Sequence, residues 1–507
     1  MVAANLASVL DRGGAAEAVA LVDVSGREPV SYTYAELRRM AAATAGALRR
    51  RGLGAGSRLG MLCSNTARFY AAYFGGLRAG CTVVPYNARA GAEAIGHVCA
   101  DAALELLIVD AEAPAGVPAS LPVVATESAE FDAWLAGEPD ERVEPPGESP
   151  AIVLYTSGST GRPKGVMLSH ASQLAIVDGL AQPGVRTFLS HGPCIVAAPL
   201  FHMNGLVFSE LAFAVGAQVV LMRRFEAQPF IAALDRYRVT VLSGVPTMVA
   251  LLAKEREALA AANLSCVELV MIGSAPVSES IVAQTRAIFP KAAIINSYGT
   301  TEIGAGMLGA HPGGLPRPAL SIGYPAPHAE LRLVGGSSAD EGVLEVRSRA
   351  SMSGYLNLPE VTAAKLRDGW INTGDIVRRD ADGFLYFVGR ADDMFVCAGE
   401  NVYPGEVERL IEQHPDVLEV AVVPAADEVR GQMPVAFVVT RPGAKLDEQS
   451  VKDYVLQRAA PYLHPRRVWF LERMPLSGAN KIDRHVLKAQ AAELVVGSSA
   501  RGDSPPP

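Results

Sequence analysis

Excess positive charge, paired thiols and long unbroken apolar runs are all missing from this chain, and each absence closes off a class of function. Across 507 residues, 45 Lys and Arg face 53 Asp and Glu, a formal net charge of -8. That leaves no global basic footprint for nucleic acid or anionic lipid, so an anionic ligand must be held by local groups. The six cysteines, Cys63, Cys81, Cys99, Cys194, Cys266 and Cys397, are widely spaced and form no C-x-x-C pair. They read as reduced, mostly buried thiols of a cytoplasmic protein. The opening MVAANLASVLDRGG has no basic start and meets Asp11, which makes it a poor signal peptide. The longest apolar region, Cys194 to Met222, is interrupted by His202, Asn204, Glu210 and Gln218, so it reads as core rather than a membrane span.

Apolar material itself is plentiful. Hydrophobic residues make up 50% of the chain and charged residues 19%, which supports large buried cores, and the length suggests several folding units. No internal repeats are visible. SYTYAELRRMAAATAGALRRRGL predicts a helix from about Thr33, stopped by Gly52. The runs RLGMLC, CTVVPYN and LELLIVD alternate with helical stretches such as ARFYAAYFGGLRA, an α/β pattern with parallel pairing. VTVLSGVP, VELVMIGSAP and AAIINSYGTTE continue it, each strand running into a Gly- or Pro-containing loop where α/β ligands bind. After about residue 330, LRLVGG, GVLEVRSRA and GFLYFVGRADD read as antiparallel strands joined by turns. From Gly399 a compact α+β unit follows, with residues 389–393 as the candidate linker. The tail SSARGDSPPP is small, polar and Pro-rich and reads as disordered.

The strongest motif is Thr156-Ser157-Gly158-Ser159-Thr160-Gly161-Arg162-Pro163-Lys164-Gly165, directly after the apolar strand Ala151–Tyr155. Glycines let backbone N–H groups turn inward, hydroxyls add donors and Lys164 adds a cation, a combination suited to phosphate. It is not the nucleoside-triphosphatase loop, because Arg162 and Pro163 separate Gly161 from Lys164. Tyr298 closes an apolar strand, and its ring can form one face of an adenine pocket. Glu302 is a carboxylate suited to Mg²⁺ shared with phosphate oxygens, although Thr301 and Glu302 also fit a helix start. Asp375, in Asn372-Thr373-Gly374-Asp375, can accept both vicinal hydroxyls of a ribose. An isolated Thr-Gly-Asp is otherwise an ordinary turn.

Taken together, these motifs resemble those of the adenylate-forming superfamily, which includes acyl-CoA synthetases, stand-alone adenylation domains and firefly-type luciferases. Tyr298-Gly299-Thr300-Thr301-Glu302, Asn372–Asp375, Gly389-Arg390-Ala391-Asp392-Asp393 and Pro475–Lys481 follow in that family's order, over about residues 30 to 490. The resemblance implies a large N-terminal domain (1–390) of two mixed or parallel α/β subdomains plus a β-rich subdomain. A small mobile α+β domain (391–495) and a disordered tail (496–507) would complete the chain.

The resemblance also assigns roles. Lys481, Thr301, Glu302 and His202 become catalytic candidates, with Glu302 on the metal and His202 gating the thiol path. Thr156, Ser157, Gly158, Ser159, Thr160, Lys164, Gly273, Ser274, Ala275, Pro276, Tyr298, Gly299, Thr300, Asp375, Arg390 and Gly399 become nucleotide or coenzyme contacts. Asp392 becomes the hinge. The family usually has Gly just before the lysine where this chain has Asn480, a residue that tolerates left-handed backbone. ATP, Mg²⁺ and coenzyme A are the implied cofactors. The expected reaction activates a carboxylic acid as acyl-AMP and passes the acyl group to coenzyme A; loading of a carrier protein is the alternative. Acetate-type relatives carry a Trp where this chain has Gly299, so a medium-chain, aromatic or bulky polycyclic monocarboxylic acid is expected. An Ala-, Gly- and Arg-rich composition suits a high-GC bacterium and a secondary-metabolic role, as a monomer or homodimer.

Overall fold

The architecture was read from a computed structural model, which describes residues 5–157, 162–397, 400–427, 430–477 and 481–499. Two seven-stranded sheets form the bulk. In the first, Ala293–Ser297, Leu269–Gly273, Val241–Gly244, Cys194–Val196, Val219–Leu221 and Val19–Asp23 run parallel, and Val30–Thr33 closes one edge antiparallel. In the second, Pro150–Ser157, Thr82–Pro85, Arg58–Leu62, Leu106–Val109 and Val123–Ala125 run parallel. Pro163–Ser169 and Gly354–Tyr355 add antiparallel strands at its other edge. Both sheets are therefore mixed: the alternating pattern's parallel pairing holds in their interiors, and antiparallel strands are added at the edges.

Helices lie between the sheets. Thr33 caps the helix Tyr34–Arg50 through a reciprocal pair with Glu36, and Gly52 leaves the helix at φ +80, so both ends fall where the sequence places them. The neighbouring helix Ala67–Ala79 buries Phe69, Tyr70, Tyr73 and Phe74 against Phe213 and one another. Burying each such ring contributes about 1.5–3 kcal/mol. The apolar region 194–222 is core: a strand, the helix Met203–Ala214 and a strand. Among the described residues no helix is long and apolar enough to cross a membrane. Five of the six cysteines are buried and none is disulfide-bonded.

A third, antiparallel sheet holds Ala329–Ser338, Glu341–Ser348 and Trp370–Arg379. Leu366–Arg367 and Leu385–Arg390 both pair with Trp370–Arg379. This matches the change of texture after residue 330. Gly389 and Arg390 are ladder residues opposite Ile376 and Asp375, so the stretch 389–393 is not all linker; the connection is confined to residues after Arg390. Pairing to Trp370–Arg379 satisfies backbone groups that a free linker would leave to water.

The last sheet joins Glu400–Val402, Phe395–Cys397, Gly431–Thr440 and Val417–Asp427, with Arg467–Phe470 alongside. Helices Pro404–Glu412, Glu448–Leu456 and Arg484–Ser499 complete that unit. It begins at Phe395, ahead of Gly399, because Phe395 and Cys397 are buried in its core. The final helix also runs on to Ser499, past the expected tail start at 496. Leu487 and Ala491 anchor it in a buried cluster, and the last turn continues from that anchored segment. Residues 500–507 lie outside the described part.

Candidate active site

A cleft of about 1560 Å³ opens between the carboxyl ends of the first sheet, the antiparallel sheet and the last unit. Strand-end loops converge there because parallel strands deliver their following loops to one side. Thr156, Lys164, His202, Gly273, Ser274, Ala275, Pro276, Tyr298, Gly299, Thr300, Thr301, Glu302, Asp375, Arg390, Asp392 and Lys481 all line it. Thr156 and Lys164 are cross-strand partners in the hairpin formed by Pro150–Ser157 and Pro163–Ser169, and the Ser157 backbone pairs with Pro163. Gly158, Ser159, Thr160, Gly399 and Asn480 lie outside the described residues.

One chain of hydrogen bonds organises the large wall. Tyr298 Oη donates to Asp375 Oδ2 at 2.6 Å, and Arg390 Nη1 donates to Asp375 Oδ1 at 2.7 Å. Arg390 also forks onto Asp392, through Nε at 2.8 Å and Nη2 at 3.0 Å. The fork fits planar guanidinium to planar carboxylate, the strongest pairing side chains offer. Burial raises the Asp375 carboxyl above its usual range, opposed by the Tyr298 hydroxyl and the Arg390 and Lys365 charges. Burial, then Asp375, holds the Tyr298 hydroxyl well above its usual value, so it stays a donor. Asp375 lines the cleft and keeps acceptor capacity after taking both bonds.

Glu302 sits in a turn closed by the bridge between Thr300 and Gly304, not at a helix start. Its Oε1 accepts from Tyr355 Oη at 2.9 Å, and its carbonyl accepts from Met352 N–H at 2.7 Å. Gly299 is sterically required here: a Cβ on it would lie 2.4 Å from the Gly304 carbonyl oxygen. Ser274 holds the left-handed conformation at φ +64, backbone strain located at the cleft.

Part of the cleft lining is apolar: Leu180, Met203, Val207, Phe208, Leu211, Val245, Met271 and Ala305. His202 caps the helix Met203–Ala214 by position, but its ring makes no capping bond and packs on Phe201, 4.5 Å between centroids. Burial, then the nearby Lys481 charge, pushes the imidazole pKa down to about 4, so the ring is neutral at physiological pH. Lys481, from the last unit, also lines the cleft, and its carbonyl accepts from Ser477 N–H at 2.7 Å. Burial lowers its ammonium pKa. Sequence-separated groups thus line one space.

The family model for AMP-binding enzymes matches residues 12–356, and the model for the C-terminal domain of those enzymes matches residues 406–481. The chain belongs to the AMP-binding enzyme family. The feruloyl-CoA synthase of Amycolatopsis sp is 33% identical to this AMP-binding enzyme, covering 89% of this chain and 92% of that one. The fatty acid–[acyl-carrier-protein] ligase ScoC of Streptomyces coeruleorubidus is 32% identical, covering 90% and 91%. The solved anthranilate CoA ligase AuaEII, in complex with anthranoyl-AMP, superposes with a TM-score of 0.87 at 25% identity, covering 98% of this chain and 99% of that one. This AMP-binding enzyme is a member of the adenylate-forming superfamily, of the acid–thiol ligase class.

Several cleft residues escaped the sequence reading. Tyr355, in Ser353-Gly354-Tyr355, stands behind Glu302, and Lys365 stands beside Thr373. Neither carries a local pattern; a signal exists only in three dimensions, because Tyr355 comes from the edge strand Gly354–Tyr355. Asn204, two residues after His202, was legible only as an interruption of an apolar run; its Oδ1 accepts from Ser243 Oγ at 3.2 Å.

Proposed function

We propose that the protein is an ATP-dependent acyl-CoA synthetase acting on an aromatic or otherwise bulky monocarboxylic acid. The observation that carries this reading is the convergence of Lys481 with Tyr298, Glu302 and Asp375 in one cleft from separate units of the chain. In the first half-reaction the carboxylate attacks the α-phosphorus of ATP and pyrophosphate leaves. Negative charge gathers on phosphate and carboxylate oxygens, and positioning plus electrostatics is the main catalytic demand. Lys481, Lys164 and the Thr300-Thr301 segment are among the groups this chain offers against that charge. Asp375 takes the ribose hydroxyls, with Tyr298 and Arg390 holding its carboxylate in place, and the Tyr298 ring borders the adenine.

The residues present fit a magnesium ion. Glu302 offers one carboxylate, and no cluster of three acidic, His or Cys groups exists among the described residues that would hold a metal without help from phosphate. Mg²⁺ favours that arrangement, keeping waters and sharing a carboxylate with nucleotide oxygens. When bound it supplies neutralisation of phosphate charge. Tyr355 orients Glu302 for that role.

In the second half-reaction a thiol displaces AMP from the acyl carbon. His202 borders that path as a neutral ring, and Lys481 must clear it. Residues 1–390 and 391–495 are therefore assigned as a fixed and a mobile domain, with Asp392 as the hinge. The apolar wall supports a ring-sized acid; the names of the feruloyl and anthranilate relatives point the same way. A carrier-protein thiol is the second reading, supported by the similarity to ScoC. The test is a panel of aromatic, medium-chain and short acids with ATP and magnesium, scored for pyrophosphate with and without coenzyme A. Aromatic acids should give pyrophosphate and, with coenzyme A, thioester. No AMP from any acid would overturn the reading, and AMP-ester formation without transfer to coenzyme A would favour the carrier protein.

A further inference from the structure

Lys365 ends the short helix Pro359–Lys365 and lines the cleft, although no motif contains it. Its Nζ donates to the Thr373 carbonyl at 3.0 Å, and a Cβ placed on Gly374 would lie 3.7 Å from that nitrogen. The ammonium is therefore fixed beside the Asn372–Asp375 segment. Three carboxylates surround it at longer range, Glu302, Asp375 and Asp392, with Arg390 as the nearby like charge. It closes an ion pair with none of them among the described residues. Each of those carboxylates is engaged elsewhere: Glu302 with Tyr355, Asp375 with Tyr298 and Arg390, Asp392 with Arg390. An ammonium has three donors, and Thr373 takes one. A half-buried cation with spare donors and no ion-pair partner among the described residues calls for an anion that arrives with a ligand.

Position identifies the anion. Glu302 marks the metal and phosphate end of the nucleotide site and Asp375 the ribose end, as assigned above. The group that joins ribose to the remaining phosphates is the α-phosphate, which must lie between them. We propose that Lys365 binds the α-phosphate of the nucleotide and of the acyl-adenylate, and keeps the adenylate seated after Lys481 withdraws. The inference rests on the adenylating reading above. Its physical content is a division of labour. Lys365 is tied through Thr373 to the strand Trp370–Arg379, on the near side of the hinge, so it stays when the distal unit turns. Lys481 lies on the far side and leaves. The phosphate would otherwise lose a cation just as the thiol attacks, and AMP would lose charge stabilisation as the leaving group.

The experiment compares wild type with Lys365→Met and Lys365→Arg in the full chain. Calorimetric titration with AMP and with adenosine is the first readout. Lys365→Met should weaken AMP binding roughly tenfold, the scale of one charge-assisted hydrogen bond, and leave adenosine binding in place. Lys365→Arg should recover part of the AMP affinity. The second readout separates the half-reactions. Lys365→Met should depress both pyrophosphate formation and thioester formation from supplied acyl-adenylate, and should release more acyl-adenylate into solution when coenzyme A is absent. Equal loss of adenosine and AMP affinity would reassign Lys365 to scaffolding of the ribose site and overturn the proposal. So would unchanged AMP affinity in Lys365→Met. If wild-type protein binds AMP and forms adenylate while the variant matches it, only this inference fails. If wild type produces no adenylate from any acid, the functional reading itself fails.

Discussion

The two walls of the cleft hold their charges in opposite ways. On the large wall the carboxylates are tied down: Asp375 accepts from Tyr298 and Arg390, Glu302 accepts from Tyr355, and Asp392 is forked by Arg390. Lys481 has no side-chain hydrogen bond or ion pair among the described residues, and burial is the dominant influence on its ammonium. Fixed groups suit recognition, because a ligand then meets donors and acceptors that need no reorganisation. A cation with no such tether suits a part that must arrive and leave. On the function proposed above, one wall would read the nucleotide and the other would perform a step.

The contrast is sharpest at Lys481. Lys481→Ala should cut acyl-adenylate formation by about 10²–10³ while thioester formation from supplied acyl-adenylate is largely kept. Single-turnover assays of each half-reaction check this, and equal losses in both would merge the two walls into one function. Next in size is the junction. Asp392→Pro fixes φ near −65° and removes the carboxylate that Arg390 forks, so thioester formation should fall at least tenfold more than adenylation. An unaffected second step would remove Asp392 from the hinge.

A smaller effect is expected behind Glu302, the carboxylate proposed for magnesium. Tyr355→Phe deletes the hydroxyl on Glu302 and keeps the ring. The magnesium concentration for half-maximal adenylation should rise several-fold, with the melting temperature nearly unchanged. A magnesium response identical to wild type would show that Glu302 needs no support.

The smallest effect lies away from both walls. Glu210 is fully buried on the helix Met203–Ala214, its Oε1 accepting from Tyr73 Oη at 2.5 Å. Burial pushes its pKa up to about 8, opposed by that hydrogen bond. The folded state therefore keeps a proton that the unfolded chain loses near the ordinary carboxylate value. Between roughly pH 4.5 and 8 the unfolded state gains charge first, so this group lowers stability as pH rises. Glu210→Gln removes that slope. Its melting temperature relative to wild type should climb by a few degrees from pH 5 to pH 8; parallel curves would show that Glu210 ionises freely.

Much of this was legible in one dimension, for identifiable reasons. The capped helix at Tyr34–Arg50 and the parallel strands ending at Gly244, Gly273 and Ser297 follow from capping chemistry and apolar runs, which are local. Tyr298, Glu302, Asp375 and Arg390 stood out because their motifs are short and dense. The contacts among them were not legible. Tyr298 and Asp375 meet only because the loop after a parallel sheet touches an antiparallel one. Lys365 is an unremarkable lysine near a helix end until Thr373 fixes it. The overlong linker and early tail share one cause: composition marks exposure, whereas pairing of Gly389 and Arg390, and the packing that anchors Leu487 and Ala491, are long-range events.

Arg390 touches two carboxylates at once, Asp375 and Asp392. On the function proposed above, one side chain would then serve both the sugar pocket and the pivot. Turning at the pivot would pull on the same guanidinium that steadies the sugar's acceptor, so the swing that withdraws Lys481 would also ease the hold on the ribose and leave the adenylate more dependent on the groups that stay put.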